Sequence, residues 1–215
     1  MFPNAASGAK KLFLAEIFRI IAAVVVVIGV VLTVAGAASA ITGALTGEGG
    51  AGSLVAAGAG VIITVVSLVL SIVSFIMEIV GLVNCNKDEP RFKTTLILTI
   101  VGIVLSIAAV PLAFVPVLGV IVSVISKVLP LIIAILVIVY LTGLLEQAGK
   151  DDVALSGHKL LKTLNVILIL YLVMCIVGSI FIVVGLILSV ITTLVMIIYF
   201  ICYLVFLKKC SVALQ

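Results

Sequence analysis

The sequence predicts an all-α membrane protein: six transmembrane helices arranged as three parallel-repeat helical hairpins, with the N- and C-termini both cytoplasmic. Three observations lead there. The apolar runs Leu12–Val34, Leu54–Val83, Leu96–Leu145 and Leu164–Leu207 all exceed spanning length, since a helix needs about 20 residues to cross the hydrocarbon. The last two runs are long enough for two helices each. One eight-residue pattern recurs at Gly60–Ser67, Gly119–Ser126 and Gly185–Thr192, with hydroxyls at its fifth and eighth positions. Lysine and arginine gather at alternate ends of the implied spans. With 66% hydrophobic and 9% charged residues and a mean hydropathy of +1.63, the chain lies far from an ordinary soluble domain, about a quarter of which is charged. Barrel strands would alternate apolar and polar residues, whereas these runs are apolar on every face.

The first span opens behind Lys10 and Lys11. Glu16 and Arg19 stand one turn apart near its start and are expected to pair. The stretch ending in Ala38-Ser39-Ala40 looks like a cleaved signal, but Glu16 and Arg19 interrupt it, and cleavage would strip the first hairpin of its opening helix. Between Lys11 and Gly60 lie more residues than the other two units have at this place. The surplus, Ala35–Ala59, reads either as a loop or as an extension of both helices, and Gly47, Gly49, Gly50 and Gly52 favour a small-residue outer loop at approximately 40–53. The second span carries Thr64, Ser67, Ser71, Ser74 and Glu78 on one face, by steps of three and four.

Pro111 and Pro116 bound the turn between the third and fourth spans, where each interrupts helix hydrogen bonding. The fifth span follows Lys159 and Lys162 and holds Asn165 just inside its start. Gly185 opens the sixth, which ends at Lys208 and Lys209. The connectors Asn84–Lys93 and Gln147–Lys162 are short and polar. The whole is a single membrane domain, 1–215, with repeat units at approximately 8–86, 87–150 and 156–210.

Six spans place eleven of the twelve basic residues on one side, leaving Lys127 apart, so the positive-inside rule sets both termini in the cytoplasm. The net charge of +4 therefore reflects orientation rather than affinity for nucleic acid. The expected partners are the lipid bilayer and a second copy or a partner membrane protein, in a plasma (cytoplasmic) membrane. No C-x-x-C spacing occurs among Cys85, Cys175, Cys202 and Cys210. These are read as reduced packing residues, with Cys210 beside Lys208 and Lys209 a lipidation candidate.

Chemistry is sparse. His158 is the only histidine, and one histidine without a second ligand or a nucleophile supports neither a metal site nor a hydrolase. No cofactor and no catalytic residue are expected. The proline–acid–base signature of mitochondrial carriers is missing, because Glu89-Pro90-Arg91 stands before the third span.

Two features could contact a substrate or ion. The repeated hydroxyls Thr64, Ser67, Ser123, Ser126, Ser189 and Thr192 could line a path, although close packing of helices uses the same residue types. Lys127 lies eight residues past Gly119, about 12 Å along the helix. A lysine near mid-span costs about 2.5–3.5 kcal/mol to insert, and Pro130 leaves the Ser126 carbonyl without its helical donor. Snorkelling to the headgroups is the competing account of this lysine. The expected function is a non-catalytic membrane subunit or scaffold that associates through its small and hydroxyl helix faces. The alternative is a small permease or channel-like transporter with Lys127 in an anion or substrate site.

Overall fold

In the computed structural model the backbone is described for residues 1–46, 51–112, 116–180 and 182–215, and side chains for 1–39, 42, 58–108, 122, 124–126, 128–171, 173 and 191–215. The protein is all-helical, with no strand among the described residues. The helical segments are α1 (Pro3–Thr46), α2 (Ala51–Asp88), α3 (Phe92–Leu112), α4 (Pro116–Gln147), α5 (Asp151–Ile180) and α6 (Ile182–Ala213). Five stretches among the described residues are long and apolar enough to cross a membrane: Pro3–Ser39, Gly58–Asp88, Val124–Gln147, Asp151–Tyr171 and Ile191–Ala213. A shorter apolar stretch, Phe92–Ala108, lies in α3.

Helix replaces most of what the sequence suggests is loop. Of the surplus in the first unit, α1 runs to Thr46 and α2 begins at Ala51, so helix extends into both ends of the segment expected as a loop at approximately 40–53, whose glycines Gly47, Gly49 and Gly50 lie outside the described residues. At 44 and 38 residues, α1 and α2 are about 66 and 57 Å long, against about 30 Å of hydrocarbon. The polar connectors shrink likewise to Glu89–Arg91 and Ala148–Lys150. The reason is periodicity beneath the polar residues. In α5, Ala154, Gly157, Leu160, Leu164 and Ile167 are all buried, a stripe at steps of three and four, while Asp151 and Asp152 occupy the first turn, where the helix dipole favours acids.

The chain divides into two compact units. One is Leu12–Glu78, a pair of helix segments from α1 and α2. Its seam consists of small residues seven apart: Ala15, Ala22, Gly29 and Gly36 on α1, with Gly60, Ser67 and Ser74 on α2, all buried. A heptad keeps one seam facing the partner helix, and small residues let backbones touch. A Cβ on Gly29 would lie 3.1 Å from the Gly60 carbonyl oxygen and 2.8 Å from Thr64 Oγ1. A Cβ on Gly60 would lie 2.7 Å from both the Gly29 carbonyl oxygen and the Thr33 amide nitrogen, and would collide with Thr33 Oγ1. The Ser74 hydroxyl donates to the Ala15 carbonyl at 2.7 Å.

The other unit comprises Met1–Lys11 and Ile79–Gln215. Within it α3 packs on α4, α4 on α5 and α5 on α6. Its best-buried side chains lie near the basic helix ends, among them Leu82, Phe92, Leu144, Leu145, Leu164, Leu207 and Leu214. The rings of Phe92 and Tyr140 meet edge to face with centroids 5.3 Å apart. The chain's two ends join there, the Phe2 amide donating to the Leu214 carbonyl at 3.2 Å. α1 has no acid of its own in its first turn; instead Asp88, at the end of α2, accepts from the Ala5 amide at 2.7 Å and from Asn4 Nδ2 at 2.8 Å. That places a carboxylate on the free amides of a helix start.

Gly149 ends α4 in the left-handed region, with φ at 68°. The Lys150 amide reaches back to the Leu145 carbonyl at 2.9 Å, and the Gly149 amide to Glu146 at 3.0 Å, closing a Schellman motif. Gly149→Ala is expected to cost about 1 kcal/mol through the Cβ clash in this region. Thermal unfolding in detergent would register it, and an unchanged midpoint would contradict the assignment.

Candidate functional site

The sequence proposes hydroxyls and one lysine as contacts, and their placements differ. Thr64 is exposed, but its Oγ1 donates to the Gly60 carbonyl at 2.8 Å. Ser67 is fully buried and donates to the Thr64 carbonyl at 2.6 Å. Ser71 donates to the Ser67 carbonyl at 2.9 Å. Their protons are thus bound by the backbone of α2 itself.

Thr192 on α6 is buried and is engaged in an interaction of its own. Ser126 on α4 has a buried Oγ without a hydrogen-bond partner, next to a carbonyl that Pro130 leaves without its helical donor. Lys127 and Ser123 on α4, and Ser189 on α6, have helical backbones, but their side chains lie outside the described residues. So does the side chain of Cys175.

Among the described residues, the most charged constellation inside the long apolar helices sits in the Leu12–Glu78 unit. Arg19 pairs with Glu16 at 3.0 Å, as the spacing of three suggests. It also pairs with Glu78 from the other helix. Both carboxylates are largely buried, with side chains 12% and 14% exposed, while Arg19 is half exposed. Beyond Arg19 and before Glu78, the segments Ile20–Thr46 and Ala51–Met77 carry no charge. The cluster therefore marks one boundary of the apolar stretch on both helices. The second Glu16 oxygen is buried without a partner. Spacing along one helix could not reveal the Glu78 contact; the heptad of small residues on each helix, which sets the pairing register, is the signal that could have.

The described lysines behave differently from the arginines. Arg91 pairs with Glu89 at 3.7 Å, and His158 faces Glu146 at 2.7 Å across the α4–α5 turn. Among the described residues no lysine makes an ion pair. Cys85 and Cys210 are fully buried, which leaves the Cys210 thiol closed to a lipidating enzyme. Cys202 is exposed. No group of three or more metal-ligating side chains occurs among the described residues.

Asn165 stands apart from the other polar side chains of the spans. It is exposed on α5 and has no hydrogen-bond partner among the described residues. It shares that outer face with Val166 and Ile169, which are 63% and 62% exposed. Ser106, equally exposed on α3, instead closes onto its own helix at the Gly102 carbonyl, 2.8 Å away.

These features define an all-helical protein with several helices apolar enough for a membrane, in which the buried hydroxyls of α2, Ser67 and Ser74, are bonded to backbone while those of Thr95, Ser126 and Thr142 have no partner among the described residues. Comparison with family models, curated proteins and solved structures finds no match.

Proposed function

We propose that the chain is a non-catalytic integral membrane subunit that associates with another membrane helix, a second copy or a partner, through the outer face of α5. The unpartnered amide of Asn165, exposed beside Val166 and Ile169, carries this reading. An amide facing hydrocarbon without a partner is unfavourable, and bonding across a helix interface relieves it by about 0.6–2 kcal/mol. The internal satisfaction of Thr64, Ser67, Ser71 and Ser74 moves the associating surface away from that hydroxyl face.

In the membrane α3 counts as a sixth span, since its 21 residues extend about 31 Å. The positive-inside rule then sets the basic helix ends and both termini in the cytoplasm. The meeting of Phe2 with Leu214 supports both termini on one side, and the succession of α3, α4, α5 and α6 supports two hairpins, α3–α4 and α5–α6, pointing the same way. Asn165→Leu should lower self-association in bilayers by about fivefold, corresponding to ~1 kcal/mol, read by energy transfer between labelled copies or by recovery of a cross-linked partner. If N165L and wild type associate equally, the α5 face is not the interface.

A second reading, permeation of an anion or small solute past Lys127, is favoured by Ser126 alone. Its buried hydroxyl lacks a partner, and its carbonyl lacks a helical donor, so unused acceptors adjoin the lysine in the chain. Lys127→Leu should then abolish flux of that solute in reconstituted vesicles. Flux that survives K127L would remove this reading.

A further inference from the structure

The observations carry one site further. A groove of about 330 Å³ runs between α5 and α6. Its walls are apolar, built from Leu160, Ile201, Val205 and Phe206, and two cations, Lys159 and Lys209, line it as well. Ile201 and Lys209 are eight residues apart on α6, about 12 Å along the axis. The groove thus passes from the apolar span into the charged helix end. Neither lysine has an ion-pair partner among the described residues.

The lining hydroxyls are already committed as donors: Thr163 to the Lys159 carbonyl at 3.1 Å and Ser156 to the Asp152 carbonyl at 3.3 Å. The groove therefore offers an occupant two ammonium groups at one end and hydrocarbon at the other. A free anion would leave the apolar walls unused, and an apolar helix would leave both cations uncompensated. A molecule with a phosphate joined to acyl chains matches both ends, and basic pockets between membrane helices on the cytoplasmic side bind such headgroups.

We propose that the α5–α6 groove is a binding site for one anionic phospholipid, its phosphate held by Lys159 and Lys209 and an acyl chain lying along Ile201 and Val205. Asn165, Val166 and Ile169 do not line the groove, and the proposal does not depend on association at that face.

Two measurements test it on the full chain. In native mass spectrometry from mixed micelles, wild type should retain phosphatidylglycerol over phosphatidylcholine. K159A/K209A should lose about 25-fold in that preference, at about fivefold per lysine near an anionic surface. K159R/K209R should keep it, as should the control K87A/K93A, whose lysines do not line the groove. The second readout is Cys202, an exposed thiol in the groove wall, followed in a C175S background because Cys85 and Cys210 are buried. Its reaction with a maleimide should slow several-fold when nanodiscs contain phosphatidylglycerol instead of phosphatidylcholine, and the K159A/K209A variant should abolish that difference. Equal retention of the two lipids by wild type, or an unchanged preference in K159A/K209A, overturns the proposal. So does protection of Cys202 by soluble glycerol phosphate alone, which would make the apolar walls irrelevant.

Discussion

Gly60→Val unpairs α1 from α2 in the Leu12–Glu78 unit. A Cβ at Gly60 would come within 2.7 Å of two backbone atoms of α1 and onto the Thr33 hydroxyl. Backbone cannot swing aside as a side chain tip can, so the two helices must separate. Overpacking a tight contact costs about 1–3 kcal/mol and occasionally more, and the upper end is expected because Gly29 shares the same crossing. Separation also removes the seat of the Ser74 bond to the Ala15 carbonyl.

Gly58→Ala provides the control on the same helix. Nothing lies within 4 Å of the position a Cβ would take there, and alanine raises helix propensity by up to about 1 kcal/mol. The thermal midpoint in detergent should fall for G60V and hold or rise for G58A, while circular dichroism shows helix retained in both. Equal midpoints for the two variants would contradict the close crossing.

Arg19→Leu has the second large effect. It leaves Glu16 and Glu78, both largely buried, facing each other's charge without the guanidinium that joins them. Removing one partner of a fully buried ion pair costs about 3–5 kcal/mol, whereas replacing the whole set is often close to neutral; with Arg19 half exposed, only part of that cost is expected here. R19L should therefore lower stability and membrane yield sharply. The triple variant R19L/E16Q/E78Q should recover most of the loss, because no uncompensated charge remains. Similar unfolding midpoints for wild type and R19L would show that the cluster is solvated and contributes little.

The two predictions differ in how far the sequence reveals them. Glu16 and Arg19 lie on one helix three residues apart, so their pairing follows from helical geometry alone. Glu78 joins them only if α2 returns beside α1 in one register, and single-helix spacing says nothing about register. The small residues at Ala15, Ala22, Gly29 and Gly36, and at Gly60, Ser67 and Ser74, hold that information as a seven-residue repeat on both helices. Read instead as a hydroxyl stripe in steps of three and four, the α2 face suggests a polar path. The hydrogen bonds to the Gly60, Thr64, Ser67 and Ala15 carbonyls show those hydroxyls turned onto backbone.

The connectors teach a related lesson. Charged residues around Asp88 and Asp151 mark chain that leaves the apolar spans, but charge does not stop a helix whose other face is apolar. Ala154, Gly157 and Leu160 continue the buried stripe of α5 through the polar stretch. Asp88, in the polar connector Asn84–Lys93, caps a helix start more than eighty residues earlier in the chain.

What the sequence determined by itself was the element type and its apolar character. Long uncharged apolar runs require helices, because only a helix satisfies every backbone group within its own segment. What only the tertiary structure decided was partnership: which carboxylate meets Arg19, which helix start Asp88 caps, which glycines touch backbone, and that Lys159 and Lys209 line one groove. Those contacts depend on the register between helices, a long-range property fixed by packing of small side chains rather than by the hydropathy of any one segment.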